Sequence, residues 1–175
     1  MGWSWLAEPV SYTLDGDSLA WRCRGGSDFW RVTESGMTKH DGQAYLLPVE
    51  GDFRLEGVVD AALGERYDQV GLFVVASEER WLKLGAERDG GLWLSAVHTR
   101  AESDWSREPL AALPVRLAVE RRAETVTCWS EVEGSLRMFR QLHLPVRVSV
   151  GPYSCSPVGG GFAASACALQ FVTSR

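Results

Sequence analysis

Hydrophobic and polar residues alternate with a period of two along most of this 175-residue chain. Val70, Leu72 and Val74 alternate with Gln69, Gly71 and Phe73, and Leu82, Leu84 and Ala86 alternate with Trp81, Lys83, Gly85 and Glu87. The same rhythm returns at Val115, Leu117 and Val119 and at Val146, Val148 and Val150. Alternation over about 4–8 residues marks strands with one face in a core. Turn signals at Asp15-Gly16, Asp41-Gly42, Gly51-Asp52, Asp89-Gly90-Gly91 and Glu133-Gly134 separate the segments. No window of about 12 residues carries a helical stripe. The pattern predicts an all-β fold, a sandwich or jelly roll of antiparallel strands, and the length suits one domain over residues 1–175.

Two hairpins can be registered from the pattern. A turn at Ser77-Glu78-Glu79 sets Gln69 opposite Glu87, Gly71 opposite Gly85, Phe73 opposite Lys83 and Val75 opposite Trp81. A three-residue loop Arg88-Asp89-Gly90, with Gly90 left-handed, sets Gly85 opposite Trp93, Lys83 opposite Ser95 and Trp81 opposite Val97. Opposed residues share a face. The predicted result is a patch on the face away from the core, with Gly71 and Gly85 as a bare floor and Gln69, Phe73, Lys83, Glu87, Trp93 and Ser95 around it. Lys83 and Glu87 lie four residues apart, about 13 Å along the strand, so they can bracket a ligand better than they can neutralise each other.

Composition narrows the partners. The net charge is −5 and no basic run occurs, which excludes a polyanion-binding surface and hence nucleic acid. The chain contains no Ile or Asn, and of its 18 cations only Lys39 and Lys83 are lysines, a codon bias that points to a GC-rich bacterial genome. In such a sequence a mid-strand lysine is no casual surface charge. Met1–Val10 has no signal-peptide character, and no apolar run approaches the roughly 18 residues of a membrane span. Cys23, Cys128, Cys155 and Cys167 are scattered and read as buried, reduced thiols. The expected protein is cytoplasmic, without a membrane partner.

Tyr67-Asp68-Gln69-Val70-Gly71-Leu72, Trp81-Leu82-Lys83-Leu84-Gly85-Ala86-Glu87 and Ser103-Asp104-Trp105-Ser106, with Asp28-Phe29-Trp30, Val49-Glu50-Gly51-Asp52-Phe53, Val150-Gly151-Pro152 and Ser156-Pro157 around them, carry a resemblance. Over about residues 15–172 the chain resembles a bacterial and fungal family known as a domain of unknown function and in places named regulation-of-enolase-like. That family is similar to the concanavalin A-like lectins and glucanases. The resemblance implies a jelly-roll sandwich of two antiparallel sheets, one of them concave, and brings no reaction with it.

The chemistry then divides three ways. Trp30, Trp81 and Trp105 supply rings, and Gln69, Lys83, Glu87, Ser95 and Asp104 supply polar groups, which together suit a carbohydrate-like or small polar ligand on the concave face. Glycoside hydrolysis needs two carboxylates about 5–9.5 Å apart, for which Glu87 with Asp104 or Asp68 are the candidates. Glu102-Ser103-Asp104 has the spacing of a glucanase motif, but Glu102–Glu108 reads as a loop and the third acid is misplaced. A regulatory protein that grips a metabolic enzyme is the third reading, resting on the family resemblance. No cofactor motif or metal-ligand cluster occurs, and His98, on core parity, reads as a hydrogen-bonded structural residue. Binding without chemistry is the leading expectation. Replacing Lys83 or Glu87 with alanine is then expected to abolish binding with little change in melting temperature.

Overall fold

The computed structural model describes residues 2–173. The strands run β1 (Ser4–Trp5), β2 (Ser11–Asp15), β3 (Ser18–Arg22), β4 (Phe29–Arg31), β5 (Thr38–His40), β6 (Gln43–Glu50), β7 (Phe53–Ala61) and β8 (Gln69–Ser77). They continue as β9 (Arg80–Arg88), β10 (Leu92–Arg100), β11 (Glu102–Pro109), β12 (Val115–Arg122), β13 (Thr125–Val132), β14 (Ser135–His143), β15 (Arg147–Cys155) and β16 (Ala163–Thr173). Among the described residues there is no helix long and apolar enough to cross a membrane.

Two seven-stranded antiparallel sheets form the sandwich, in the orders β1-β6-β15-β8-β9-β10-β11 and β14-β13-β12-β7-β16-β3-β2, and β4 and β5 pair only with each other. The period-two residues meet between the sheets. Val70, Leu72, Leu82, Leu84 and Val150 from the first face Leu55, Val59, Leu117 and Val119 from the second, all fully buried. The all-β jelly-roll sandwich read from the alternation is the fold observed. Arg121 is buried at the end of β12, and its guanidinium donates to the carbonyls of Ala123 (2.8 Å), Leu144 (2.8 Å), Val146 (3.1 Å) and Pro145, which fixes the β14–β15 connection. Burial lowers its pKa from the ordinary arginine value.

The β8–β9 register is the one expected: Gln69 opposes Glu87, Gly71 opposes Gly85, Phe73 opposes Lys83 and Val75 opposes Trp81, with an irregularity between Val75 and Ser77 before the turn. The β9–β10 register differs by one step of the turn. Arg88 opposes Leu92, so the loop is Asp89-Gly90-Gly91, and Ser95 faces Gly85 while Val97 faces Lys83. Asp89 anchors the observed loop: its carboxylate binds Arg66 and Arg107, its carbonyl accepts from the Trp93 indole at 2.9 Å, and Gly90 is left-handed at the centre. The slip is an even one, so every side chain keeps its face.

Two expectations fail here. Glu102–Pro109, expected as a loop, is the edge strand β11, paired along its whole length with β10. An edge position tolerates its charges and its terminal proline. The glycine pair is not a bare floor either. A Cβ on Gly71 would overlap the Leu84 carbonyl and Gly85 Cα, and one on Gly85 would overlap the Val70 carbonyl and Gly71 Cα. The glycines let β8 and β9 approach each other, and they leave no floor for a ligand.

Gly85→Ala is therefore expected to destabilise the protein by about 1–3 kcal/mol or more, because the backbone of β8 must move. Gly91→Ala, whose Cβ would meet only the Trp93 ring at 3.7 Å, should stay within about 1 kcal/mol of the parent. Urea unfolding of the two variants makes the comparison, and equal stabilities would count against the close-approach role.

Candidate functional site

The outer face of the first sheet is not open to solvent. The segment that carries β4 and β5 lies across it and creates a second apolar cluster of Phe29, Ala44, Leu46, Phe73, Trp81, Val97, Tyr153 and Cys155. Phe29 stacks on Phe73 with centroids 4.3 Å apart and packs against Trp81 and Tyr153. Hydrogen bonds fasten the hairpin at both ends. Gly26 N donates to the Ser156 carbonyl at 2.8 Å, Arg31 N to Ser103 Oγ at 2.9 Å, and the Thr33 hydroxyl to the Ser103 carbonyl at 2.6 Å.

Where the hairpin and sheet do not close on each other they leave a cavity of about 450 Å³. Its sheet side is Gln69, Lys83, Glu87 and Val97, and its hairpin side includes Asp28, Trp30 and Met37. Three rings wall it. Trp30 meets Trp105 edge-on at 6.2 Å and 90°, and Tyr67 meets Trp105 at 6.5 Å and 78°. Val32 and Glu34 in the hairpin loop, and Tyr67 on the other wall, all adopt positive φ (63°, 65° and 66°), a strained conformation for such residues, above all for β-branched Val32. Strain of this kind concentrates at functional sites. At Tyr67 the backbone N–H, donated to the Arg88 carbonyl at 2.6 Å, holds the turn that carries the ring.

Beneath the hairpin Lys83 is almost fully buried and its Nζ lies 3.2 Å from Asp28 Oδ1. Burial disfavours the ammonium, yet Asp28, with smaller contributions from Cys155 and Glu87, keeps the Lys83 pKa above the ordinary lysine value. Glu87, only 3% exposed, has no cation within ion-pair distance among the described residues, and Trp105 Nε1 lies 3.2 Å from its Oε2. Burial pushes the Glu87 carboxyl above its ordinary range, against the weaker pull of Lys83, Ser95 and Trp105. Trp105 Nε1 also donates to Ser95 Oγ at 2.9 Å.

Of the residues singled out from the sequence, Gln69, Lys83, Glu87, Trp30 and Trp105 line the cavity, and Ser95 sits behind Trp105. Trp81 does not reach it: the ring is fully buried beneath Phe29, with Nε1 on the Glu78 carbonyl at 3.1 Å. Asp104 is elsewhere. On β11 it alternates with Trp105, faces the other way, is exposed and pairs with Arg140 at 3.2 Å. Asp68 is consumed in its own loop, accepting from Gly64 N (3.1 Å), Glu65 N (2.9 Å) and Ser156 Oγ (2.7 Å). Neither acid offered as a partner for Glu87 is thus available to it. His98 opposes Asp104 but leaves its Nε2 without a hydrogen bond, contrary to expectation; burial and the nearby Arg140 and Arg100 lower its pKa to about 4. Three cysteines are buried as expected, while Cys167 is exposed and none is joined to another. Asp28 and Tyr67 escaped selection, although Asp28-Phe29-Trp30 and the Tyr67 run both carry the family resemblance.

Residues 5–173 match a family described as "Protein of unknown function (DUF1349)". The chain is 28% identical over 165 residues, 90% of its own length and 83% of the relative's, to regulation of enolase protein 1 of Saccharomyces cerevisiae. Among solved structures it resembles a functionally unknown protein of the same yeast, with a TM-score of 0.93 at 25% identity over 99% of this chain and 97% of that one. It also resembles the GH43 protein BlXynB of Bacillus licheniformis, with a TM-score of 0.78 at 14% identity; there it covers 98% of its own length but 37% of the other chain.

The geometry replaces the expected effect of losing Lys83. Removing one member of a buried ion pair strands the other, so Lys83→Met is expected to cost about 3–5 kcal/mol, and Lys83→Met with Asp28→Leu should recover much of it. Equal losses in the single and double variants, in urea melts, would show that the pair is not what binds the hairpin down. Glu87 carries a pH signature. The folded state holds its proton more tightly than the unfolded chain, so stability falls as pH rises from about 4.5 through the raised folded value. Glu87→Gln removes that fall, so its stability relative to the parent should improve between pH 4.5 and pH 8. A difference that does not vary with pH would mean that burial is not governing this carboxyl.

Proposed function

Because the chain belongs to the DUF1349 family of proteins of unknown function, which supplies no reaction, we propose from its own cavity that it is a binding protein for a carbohydrate-like or small polar ligand. The observation that carries this reading is a cavity of about 450 Å³ that joins three aromatic walls to the buried polar side chains Gln69, Lys83 and Glu87. Ligand sites have this character: rings cover the apolar faces of the ligand, and a few fixed polar groups read its hydroxyls. Glu87 has neither Asp68 nor Asp104 beside it, and the other carboxylate of the cavity, Asp28, is committed to Lys83, which favours binding over the glycosidase alternative. Four free cysteines fit the reducing environment of the cytoplasm.

The name of the yeast relative favours a second reading, a protein that regulates a metabolic enzyme such as an enolase. Exposed apolar side chains at the cavity rim, Met37 and Val158, give that reading a surface.

A thermal-shift screen against neutral, acidic and amino sugars and polyols, run beside Trp30→Ala, tests the proposal. A true ligand at 100 times its Kd adds about 2.7 kcal/mol, which is about 5–10 °C for a domain of this size. The shift is expected to vanish in Trp30→Ala. No shift with any compound, together with a stable complex between the protein and purified enolase, would replace this reading with the second one.

A further inference from the structure

We propose that the ligand of this cavity is an amine-bearing sugar or polyol, whose cationic nitrogen is held between Glu87 and Gln69 within the walls formed by Trp30, Tyr67 and Trp105. The inference rests on the cavity being a binding site, as proposed above, and adds the charge and polarity of what it takes.

Several of the cavity's donors are already engaged. The Trp30 indole donates to the Thr33 carbonyl at 2.9 Å, and the Trp105 indole is held by Ser95 and Glu87. The Thr33 hydroxyl is spent on the Ser103 carbonyl at 2.6 Å. Both lysines that line the cavity already have anions: Lys83 has Asp28, and Lys39 has Asp41 at 3.5 Å as well as the Gly26 carbonyl at 2.9 Å. Among the described lining residues, an anionic ligand would find no cation without a carboxylate already beside it.

Acceptors, by contrast, stand idle. Gln69 is 5% exposed, and its Oε1 is a buried oxygen with no donor. Its amide orientation is fixed, because Nε2 donates to the Tyr67 carbonyl at 3.1 Å and an oxygen in that place would face another oxygen. Glu87 stands directly opposite Gln69 across β8 and β9, and directly opposed residues share a face with Cβ atoms about 4.5–5.5 Å apart. Among the described residues Glu87 Oε1 accepts no hydrogen bond and the carboxylate has no ion-pair partner. Gln69 Oε1 has no donor, and the Glu87 carboxyl beside it has the Trp105 indole and Ser95 but no cation; a positively charged donor would serve both and favour the carboxylate form that burial disfavours. An ammonium supplies N–H bonds to both, and the ring faces around it attract a cation. The cost of leaving a buried acceptor unsatisfied is removed when such a ligand enters.

The test is a matched trio that differs at one substituent: glucosamine, glucose and glucuronate, titrated at pH 6.5 against the intrinsic tryptophan fluorescence of the full chain and of Glu87→Gln. Glucosamine is expected to bind at least about tenfold more tightly than glucose, glucuronate more weakly than either, and the preference for the amine should shrink to less than about threefold in Glu87→Gln. Since Glu87→Gln keeps the shape and removes the charge, its folding is checked by its thermal melt. Glucose or glucuronate binding as tightly as glucosamine overturns the amine inference and leaves the binding function intact. An amine preference that survives undiminished in Glu87→Gln overturns the role of Glu87. Absence of binding by all three overturns this inference, while the broader binding reading falls only if the thermal-shift screen is silent as well.

Discussion

A lysine ammonium sealed under a hairpin, 3.2 Å from the one carboxylate that neutralises it, decides where the roof of this molecule sits. Neither group keeps enough water to stand alone: their side chains are 2% and 9% exposed. Burying such a pair gains little net stability over apolar packing, since both charges give up hydration, but it discriminates strongly among placements. If the hairpin slid along the sheet, Phe29 could find another apolar patch, whereas Asp28 could not find another Lys83. The stacking of Phe29 on Phe73 supplies the attraction, and the ion pair supplies the register. The roof of the cavity follows from that position, because Trp30 and the loop to Met37 continue directly from Asp28.

Much of the sandwich was legible because it depends on short-range alternation. The β8–β9 pairing follows from parity and a tight turn, which together set Gln69, Lys83 and Glu87 on one face. The roof was not legible. β4 and β5 are three residues each, too short for a period of two to declare itself, and the partner of Asp28 lies 55 residues away. Trp81 stands on the face that the alternation assigns to it, but that face meets a second core and not solvent. Asp104 shows how one wrong element reverses a side chain. Read as a loop, residues 102–108 impose no direction; as strand β11 they send Trp105 one way and Asp104 the other.

The two-sided burial also explains the glycine pair. β8 and β9 are buried along nearly all their length, like strands of a parallel sheet covered on both faces. Between two apolar clusters the backbones of these strands press together at Gly71 and Gly85, where side chains would force them apart. The sequence signal was real and its interpretation was wrong: paired glycines marked a close approach between neighbouring strands, and the cavity opened beside them.

Strands clamped from both sides have a thermodynamic consequence for whatever binds. Gln69, Lys83 and Glu87 stand on the most enclosed part of the sheet, so their rotamer freedom is lost when the chain folds and not when a ligand arrives. Association is weakened in part by the ordering it demands of the receptor, and here the polar end of the site demands almost none. The site proposed here is thus fixed where Glu87 and Gln69 would read a ligand, and their ordered side chains serve affinity and discrimination alike.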